Sequence, residues 1–188
     1  MSRTLKDLLA QGAEAAAAVS APGRPTLSHG ALRLLIDATL ARLNGLGLGR
    51  NDRVAIVLDN GPEMATCFLA CANGVASAPL NPSYRADEFE FYLSDLNAKA
   101  LIVGRGSASP AVDVAVKLGV PIIDLVSDAA SPAGSFTLEP RRAGAATPAT
   151  NGGYAAPEDV SMVLHTSGTT SRPKIVPLSQ GNLAASAS

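Results

Sequence analysis

The strongest constraint on the fold is an alternation of short apolar runs with amphipathic segments of about a dozen residues. Runs rich in Val, Ile, Leu and Ala have the length and composition of buried strands. They lie at residues 53–58, 76–80, 100–103 and 120–125. Because helical patterns separate them, the alternation predicts an α/β fold, with a mostly parallel sheet flanked by helices.

Helices are predicted from the spacing of apolar residues and from capping signals. A first helix is expected over residues 4–19, and a second one after Ser28, a good N-cap. Pro62 suits the first turn of a third helix. Further helices are predicted at residues 87–97 and 111–118.

Residues 127–157 differ from the rest of the chain, since they are rich in Ala, Ser, Gly, Pro and Thr. Their best strand candidate is 136–138, and we predict a long surface connection, mobile in part, in which Arg141 and Arg142 are solvated. The sequence thus divides into an α/β subdomain (1–126), this connection (127–157) and a strand–loop–strand with the start of a helix (158–188). That last helix has barely begun at Ser188, so we expect a truncated chain.

Composition argues against several classes of function. The 15 basic and 16 acidic residues nearly cancel, which gives no basic surface for nucleic acid. No segment approaches the roughly 20 apolar residues of a membrane span, and no secretory leader is recognised. A cytoplasmic protein is expected, with the peroxisome as the alternative in a eukaryote. Cys67 and Cys71 lie four apart and, with only two histidines in the chain, are predicted to be core residues, with no metal site.

A hydroxyl-rich run follows the predicted strand at residues 159–165. Residues 166–174 hold five Ser or Thr side chains together with Gly168, Arg172, Pro173 and Lys174. Short hydroxyls, backbone N–H groups and one mobile ammonium suit a polyanion, and a glycine permits close backbone approach. Composition alone explains a flexible surface turn equally well. Arg172 either adds a second charge to the site or faces solvent.

This run is not a Walker A loop, which ends in G-K-[ST] and leads into a helix. Here Pro173 precedes Lys174, and Pro177 would break a helix at that point. The run is therefore predicted to join two extended segments.

The order of the residues from Thr166 to Lys174 resembles the phosphate-loop signature T-S-G-T-T-G-x-P-K of the adenylate-forming superfamily, which includes acyl-CoA synthetases, firefly luciferase and peptide-synthetase adenylation domains. Ser171 and Ile175 replace glycines of the commonest form. The variant S-R-P-K-I-V-P-L looks most like the oxalate–CoA ligase branch. Residues 49–55 and 76–84 are similar to two scaffold segments of the family, and Asn81, Pro82 and Tyr84 are expected there to shape a turn.

The resemblance implies an incomplete N-terminal domain of an ATP-dependent acid–CoA ligase. Such an enzyme joins a small carboxylic acid to AMP, and CoA then displaces the AMP, so ATP, Mg²⁺ and coenzyme A are the implied cofactors. By resemblance, the nucleotide phosphates are held by Thr166, Ser167, Gly168, Thr169, Thr170 and Ser171. Lys174 is the implied catalytic and phosphate-binding cation. His165 either lies near the loop or packs at the strand end.

The resemblance also implies that the ribose-binding, magnesium-binding and C-terminal catalytic residues of the family fall after Ser188. We therefore expect no ligase turnover by these 188 residues alone, and exposed sheet edges that favour a homodimer or aggregation. Two alternatives remain: a non-catalytic truncated paralogue, or a nucleotide-binding module of another class. The second has little support, because Gly104-Arg105-Gly106 is only a fragment of a dinucleotide fingerprint.

Overall fold

The computed structural model describes residues 4–142, 147–166 and 173–187. Six helices and nine strands lie in these ranges. In chain order they are α1 (Leu5–Leu9), β1 (Ala17–Val19), β2 (Leu27–Ser28), α2 (His29–Gly45), β3 (Arg53–Val57), α3 (Pro62–Ala72), β4 (Ala76–Pro79), α4 (Ala86–Asp95), β5 (Ala100–Gly104), α5 (Pro110–Leu118), β6 (Ile122–Val126), β7 (Thr137–Pro140), β8 (Val160–Thr166), β9 (Lys174–Ser179) and α6 (Gln180–Ser186).

Seven of the strands form one sheet in the order β7-β6-β5-β3-β4-β8-β9. The five inner strands are parallel, whereas β7 and β9 run antiparallel at the two edges. The predicted α/β class with a mostly parallel sheet is confirmed.

Helices cover both faces of the sheet, and the strand β3 shows why its sequence is apolar throughout. Val54 and Ile56 point into a core with α2 and α3, while Ala55 and Val57 point into a second core with α4 and α5. Successive strand residues face opposite sides, so a strand buried on both faces must be apolar at every position.

The prediction of one helix over residues 4–19 is wrong. Helix α1 ends at Leu9, and Ala17–Val19 forms a strand against β2. The backbone carbonyls of Glu14 and Ala16 accept hydrogen bonds of 2.9 Å from the N–H groups of Gly30 and His29. These N–H groups belong to the first turn of α2 and have no partner within that helix, so a tertiary contact overrides the helix propensity of the alanines.

The described residues of segment 127–157 include a strand and several buried side chains, which a free surface connection would not have. Phe136 and Leu138 lie in the core with α2 and α3, and β7 pairs with β6. Arg141 is not simply solvated, because its Nε donates to Asp124 Oδ1 at 2.8 Å. The prediction of a strand near 136–138 is confirmed, and the observed strand is Thr137–Pro140.

In the described part of the chain, no helix is long and apolar enough to cross a bilayer. The same residues contain no group of three or more His, Cys, Asp or Glu side chains arranged for a metal ion. Cys67 and Cys71 are free thiols buried in α3, as predicted for core residues.

Candidate functional site

The hydroxyl-rich run closes the hairpin between β8 and β9. Thr166 ends β8 and Lys174 begins β9, and the two residues are paired across the hairpin. The predicted arrangement, in which the run joins two extended segments, is confirmed. Ser167, Gly168, Thr169, Thr170 and Ser171 lie outside the described residues, as does Arg172.

The hairpin places this run at the edge of the sheet where the parallel strands end. Strand β8 lies beside β4 in parallel register, with Met162 opposite Ser77. Ligands of open α/β sheets bind outside the carboxyl ends of the strands. Pro177 fits here because β9 is an edge strand, where a missing N–H is tolerated.

Thr166 and Lys174 are both exposed. No ion pair to Lys174 is found within residues 4–142, 147–166 and 173–187. A hydroxyl and an ammonium group thus lie at paired positions at the loop end of the β8–β9 hairpin. They can donate to two oxygens of one anion.

Buried polar groups fasten the other end of the hairpin to the sheet. The Ser161 hydroxyl donates to the Ala72 carbonyl at 2.7 Å, and the amide nitrogen of Gln180 donates to the Ser161 hydroxyl at 3.0 Å. The Gln180 oxygen in turn accepts from the backbone N–H of Leu5 at 3.0 Å. Sequence analysis did not single out Ser161 or Gln180, because their partners lie far away in the chain.

His165, for which two roles were left open, packs at the strand end beside the loop. Its Nε2 lies 3.1 Å from Asp95 Oδ2, and its side chain is only 6% exposed. The ring stands edge-on to Tyr92, with 4.6 Å between centroids. Packing is therefore what the structure assigns to this histidine.

Tyr92 belongs to a small aromatic cluster that continues to Tyr84. The Tyr84 and Tyr92 rings are stacked with their centroids 4.8 Å apart. The pKa of Tyr92 is raised to about 12, first by a hydrogen bond with the Tyr84 side chain and second by burial. The Tyr92 phenol is therefore expected to stay protonated and neutral at physiological pH.

Tyr84 also belongs to the turn predicted after β4. The N–H groups of Ser83 and Tyr84 donate to the side chain and the carbonyl of Asn81, at 2.9 and 3.1 Å. The expected turn-shaping role is confirmed for Asn81. Sequence analysis missed the cluster with Asp95 and His165. Asp95 ends a helix and lies 70 residues before His165, so no local pattern pairs the two residues.

The family model described as "AMP-binding enzyme" matches residues 7–188. The oxalate–CoA ligase of Arabidopsis thaliana is 40% identical over 177 residues, which cover 90% of this chain and 33% of that protein. The oxalate–CoA ligase of Saccharomyces cerevisiae is 37% identical over 154 residues, which cover 71% of this chain and 28% of that protein.

Among solved structures, ATP-bound MatB from Rhodopseudomonas palustris superposes with a TM-score of 0.74 at 23% identity. The match covers 99% of this chain and 36% of that one, and at this identity it shows the fold alone. The chain spans about a third of the length of the relatives it matches. With the family model matching nearly all of its residues, the chain belongs to the AMP-binding enzyme family.

Proposed function

We propose that the protein is an ATP-dependent acid–CoA ligase. It joins a carboxylic acid to AMP with release of pyrophosphate, and then forms a thioester with CoA. Membership of the AMP-binding family and the CoA ligase names of the relatives support this proposal. The observation that carries it is the sequence of residues from Thr166 to Lys174, which connects the paired strands β8 and β9 at the carboxyl edge of the sheet.

In adenylation, negative charge moves onto the leaving pyrophosphate. Donors that are already in place stabilise this charge without reorganising at the moment of reaction. The proposal gives this task to Thr166 and Lys174, together with Ser167, Gly168, Thr169, Thr170 and Ser171 of the loop. Lys174 supplies the positive charge.

A magnesium ion, when bound, neutralises phosphate charge and orients the phosphates. The described ends of the hairpin supply a hydroxyl oxygen and a lysine, and the carboxylate of Asp95 contacts His165. This set fits the phosphates themselves better than it fits a metal ion. The roles proposed for the chain's own residues therefore do not depend on the ion.

Oxalate is the acid we propose to test first. Two of the most similar relatives carry the name oxalate–CoA ligase, and the loop variant S-R-P-K-I-V-P-L supports the same branch. A panel of other carboxylic acids, short and long, tests the width of this specificity. A cytoplasmic location belongs to the same proposal.

Oxalate-dependent ATP–pyrophosphate exchange by the full-length protein is the deciding measurement. Lys174→Ala should lower kcat/KM by a factor equivalent to roughly 2–4 kcal/mol, the usual effect of removing one such donor. The matched control is Lys117→Ala, which removes a lysine that pairs with Glu90 on the surface. Full activity of the double variant Lys174→Ala with Thr169→Ala would overturn the proposed site.

The 188 residues taken alone should give no carboxylate-dependent exchange, and they are proposed to self-associate. The strands β7 and β9 end the sheet, and the outer edge of each is unpaired within the described ranges. Such edges invite pairing with a second chain. A dimer or larger species is expected in size-exclusion chromatography, whereas a clean monomer or robust exchange would contradict these expectations.

A further inference from the structure

Helix α4 contacts the end of strand β8 with the face that carries Tyr92 and Asp95. These residues are three apart, so both side chains lie on one side of the helix. Both contact the same residue, His165, at the end of β8. A helix from one half of the sheet thus meets the strand that leads into the loop.

The position of Asp95 is unusual for an acidic residue. It is the last residue of α4, and the last turn of that helix contains no basic residue. Helix carbonyls create a negative potential there, which disfavours a carboxylate. The hydrogen bond with His165 supplies a compensating partner, so the contact accounts for an acidic group that the helix alone disfavours.

His165 is held on several sides. Besides the bond to Asp95, the Tyr92 and Phe91 rings stand edge-on to it, at centroid distances of 4.6 and 6.4 Å. Tyr92 is stacked on Tyr84, which follows β4, the strand beside β8. The cluster therefore links the ends of two neighbouring strands and leaves the imidazole almost no exposed surface.

The backbone of His165 is as constrained as its ring. It pairs with Ile175 across the hairpin, and the next pair is Thr166 with Lys174. The side chain that fixes the strand end thus lies one position before the two residues that the proposed function assigns to the phosphates.

We infer that His165, held by Asp95 and Tyr92, is a positioning residue for nucleotide binding. It orients the end of the β8–β9 hairpin so that Thr166 and Lys174 reach the triphosphate together. His165 acts through these two residues and does not contact the nucleotide. The inference rests on the proposed function and adds a residue set to that site.

Steady-state exchange by the full-length protein, with ATP and the acid varied in turn, tests the inference. His165→Phe keeps a ring against Tyr92 but removes the hydrogen bond, and Asp95→Ala removes the bond from the other side. Each should raise the KM for ATP about tenfold, equivalent to about 1.4 kcal/mol. The KM for the acid should stay unchanged. The double variant should be no worse than either single variant, because both lose the same contact.

Two further variants separate positioning from general folding. Asp95→Asn retains a hydrogen-bonding group and should restore most of the ATP affinity. Glu90 lies on α4 like Asp95, but its ion pair is with Lys117 of α5 and does not involve His165. Glu90→Gln removes this ion pair and should leave both KM values unchanged.

The outcomes are distinguishable. If the protein without substitutions shows no acid-dependent exchange, the proposed function itself is overturned. Exchange with an unaltered KM for ATP in His165→Phe and Asp95→Ala would overturn the role of His165 and leave the function standing. Variants that lose kcat and thermal stability at constant KM would show a purely structural contact, which also overturns the inference.

Discussion

At the scale of single residues, burial decides the chemistry of the two cysteines. Cys67 and Cys71 are fully buried in α3. The hydrogen bond to Cys71, followed by burial, raises the pKa of the Cys67 thiol well above its ordinary value. Because the thiolate is the reactive form, a thiol with a raised pKa is a poor nucleophile and a poor metal ligand.

Neither cysteine should react with a thiol reagent such as DTNB at about pH 8 in the folded protein, because both are shielded from the reagent. Both should react at once in denaturant, since the thiols are then exposed. Rapid labelling of the native protein at these two positions would contradict the buried geometry of α3.

Single charged residues were the hardest to predict from the sequence. Arg141 was expected to be solvated, but β7 places it beside Asp124 on β6. His165 and Asp95 lie 70 residues apart, and nothing local marks them as partners. The residues from Thr166 to Lys174 could be singled out from the sequence because their chemistry is contained in consecutive positions, and their role in binding phosphates stays a prediction.

At the scale of helices and strands, local signals set most boundaries. Ser28 caps α2 as predicted, with its hydroxyl accepting from the N–H of Ala31 at 3.2 Å. Pro62 begins α3 at a position where no N–H is needed. The helix prediction for the segment after α1 was wrong because the hydrogen bonds of this segment run to α2. A partner so far along the chain is not visible in a local pattern.

The end of α5 allows a direct test of backbone conformation. Gly119 caps this helix in the left-handed region, with φ of 69°, and a β-carbon added there would meet open space. Gly119→Ala should therefore destabilise the protein by about 1 kcal/mol through backbone strain alone. The measurement is the free energy of unfolding in urea.

Gly45→Ala is the matched control for that variant. Gly45 ends α2, has open space around it and does not have a positive φ. Alanine should be neutral there or stabilise by about 0.5 kcal/mol. Equal destabilisation by the two substitutions would argue against the left-handed cap.

At the scale of the whole molecule, alternation of strands and helices was enough to predict the fold class. The order of the strands was not predictable in the same way. Strand β8 joins the sheet beside β4, and β7 turns antiparallel at the opposite edge. These placements depend on packing between distant segments rather than on any local pattern.

The stability of the molecule should fall in alkaline solution. Tyr92 has its pKa raised to about 12, and burial, together with a 2.8 Å hydrogen bond to Asp37, raises the pKa of Tyr154. A phenol is neutral when protonated, so the fold favours the protonated form. Its contribution is complete below the unfolded pKa of about 10 and is lost as the pH rises towards the folded value.

Urea unfolding at about pH 8 and about pH 11, on either side of the unfolded phenol pKa, measures this effect. The midpoint should drop at the higher pH, and the drop should be smaller in the double variant Tyr92→Phe with Tyr154→Phe, which has neither phenol. Equal drops in the two proteins would assign the alkaline loss to other groups, such as lysines.

The placement of β8 has a consequence for how the protein is made. The Ser161 hydroxyl of this strand bonds the carbonyl of Ala72, which precedes it by 89 residues. Contacts between such distant segments slow folding, and a ribosome releases the early strands long before β8 emerges. The β8–β9 hairpin should therefore join the sheet after β3, β4 and β5 have emerged, and until then β4 presents an open flank that a chaperone or a neighbouring nascent chain can reach.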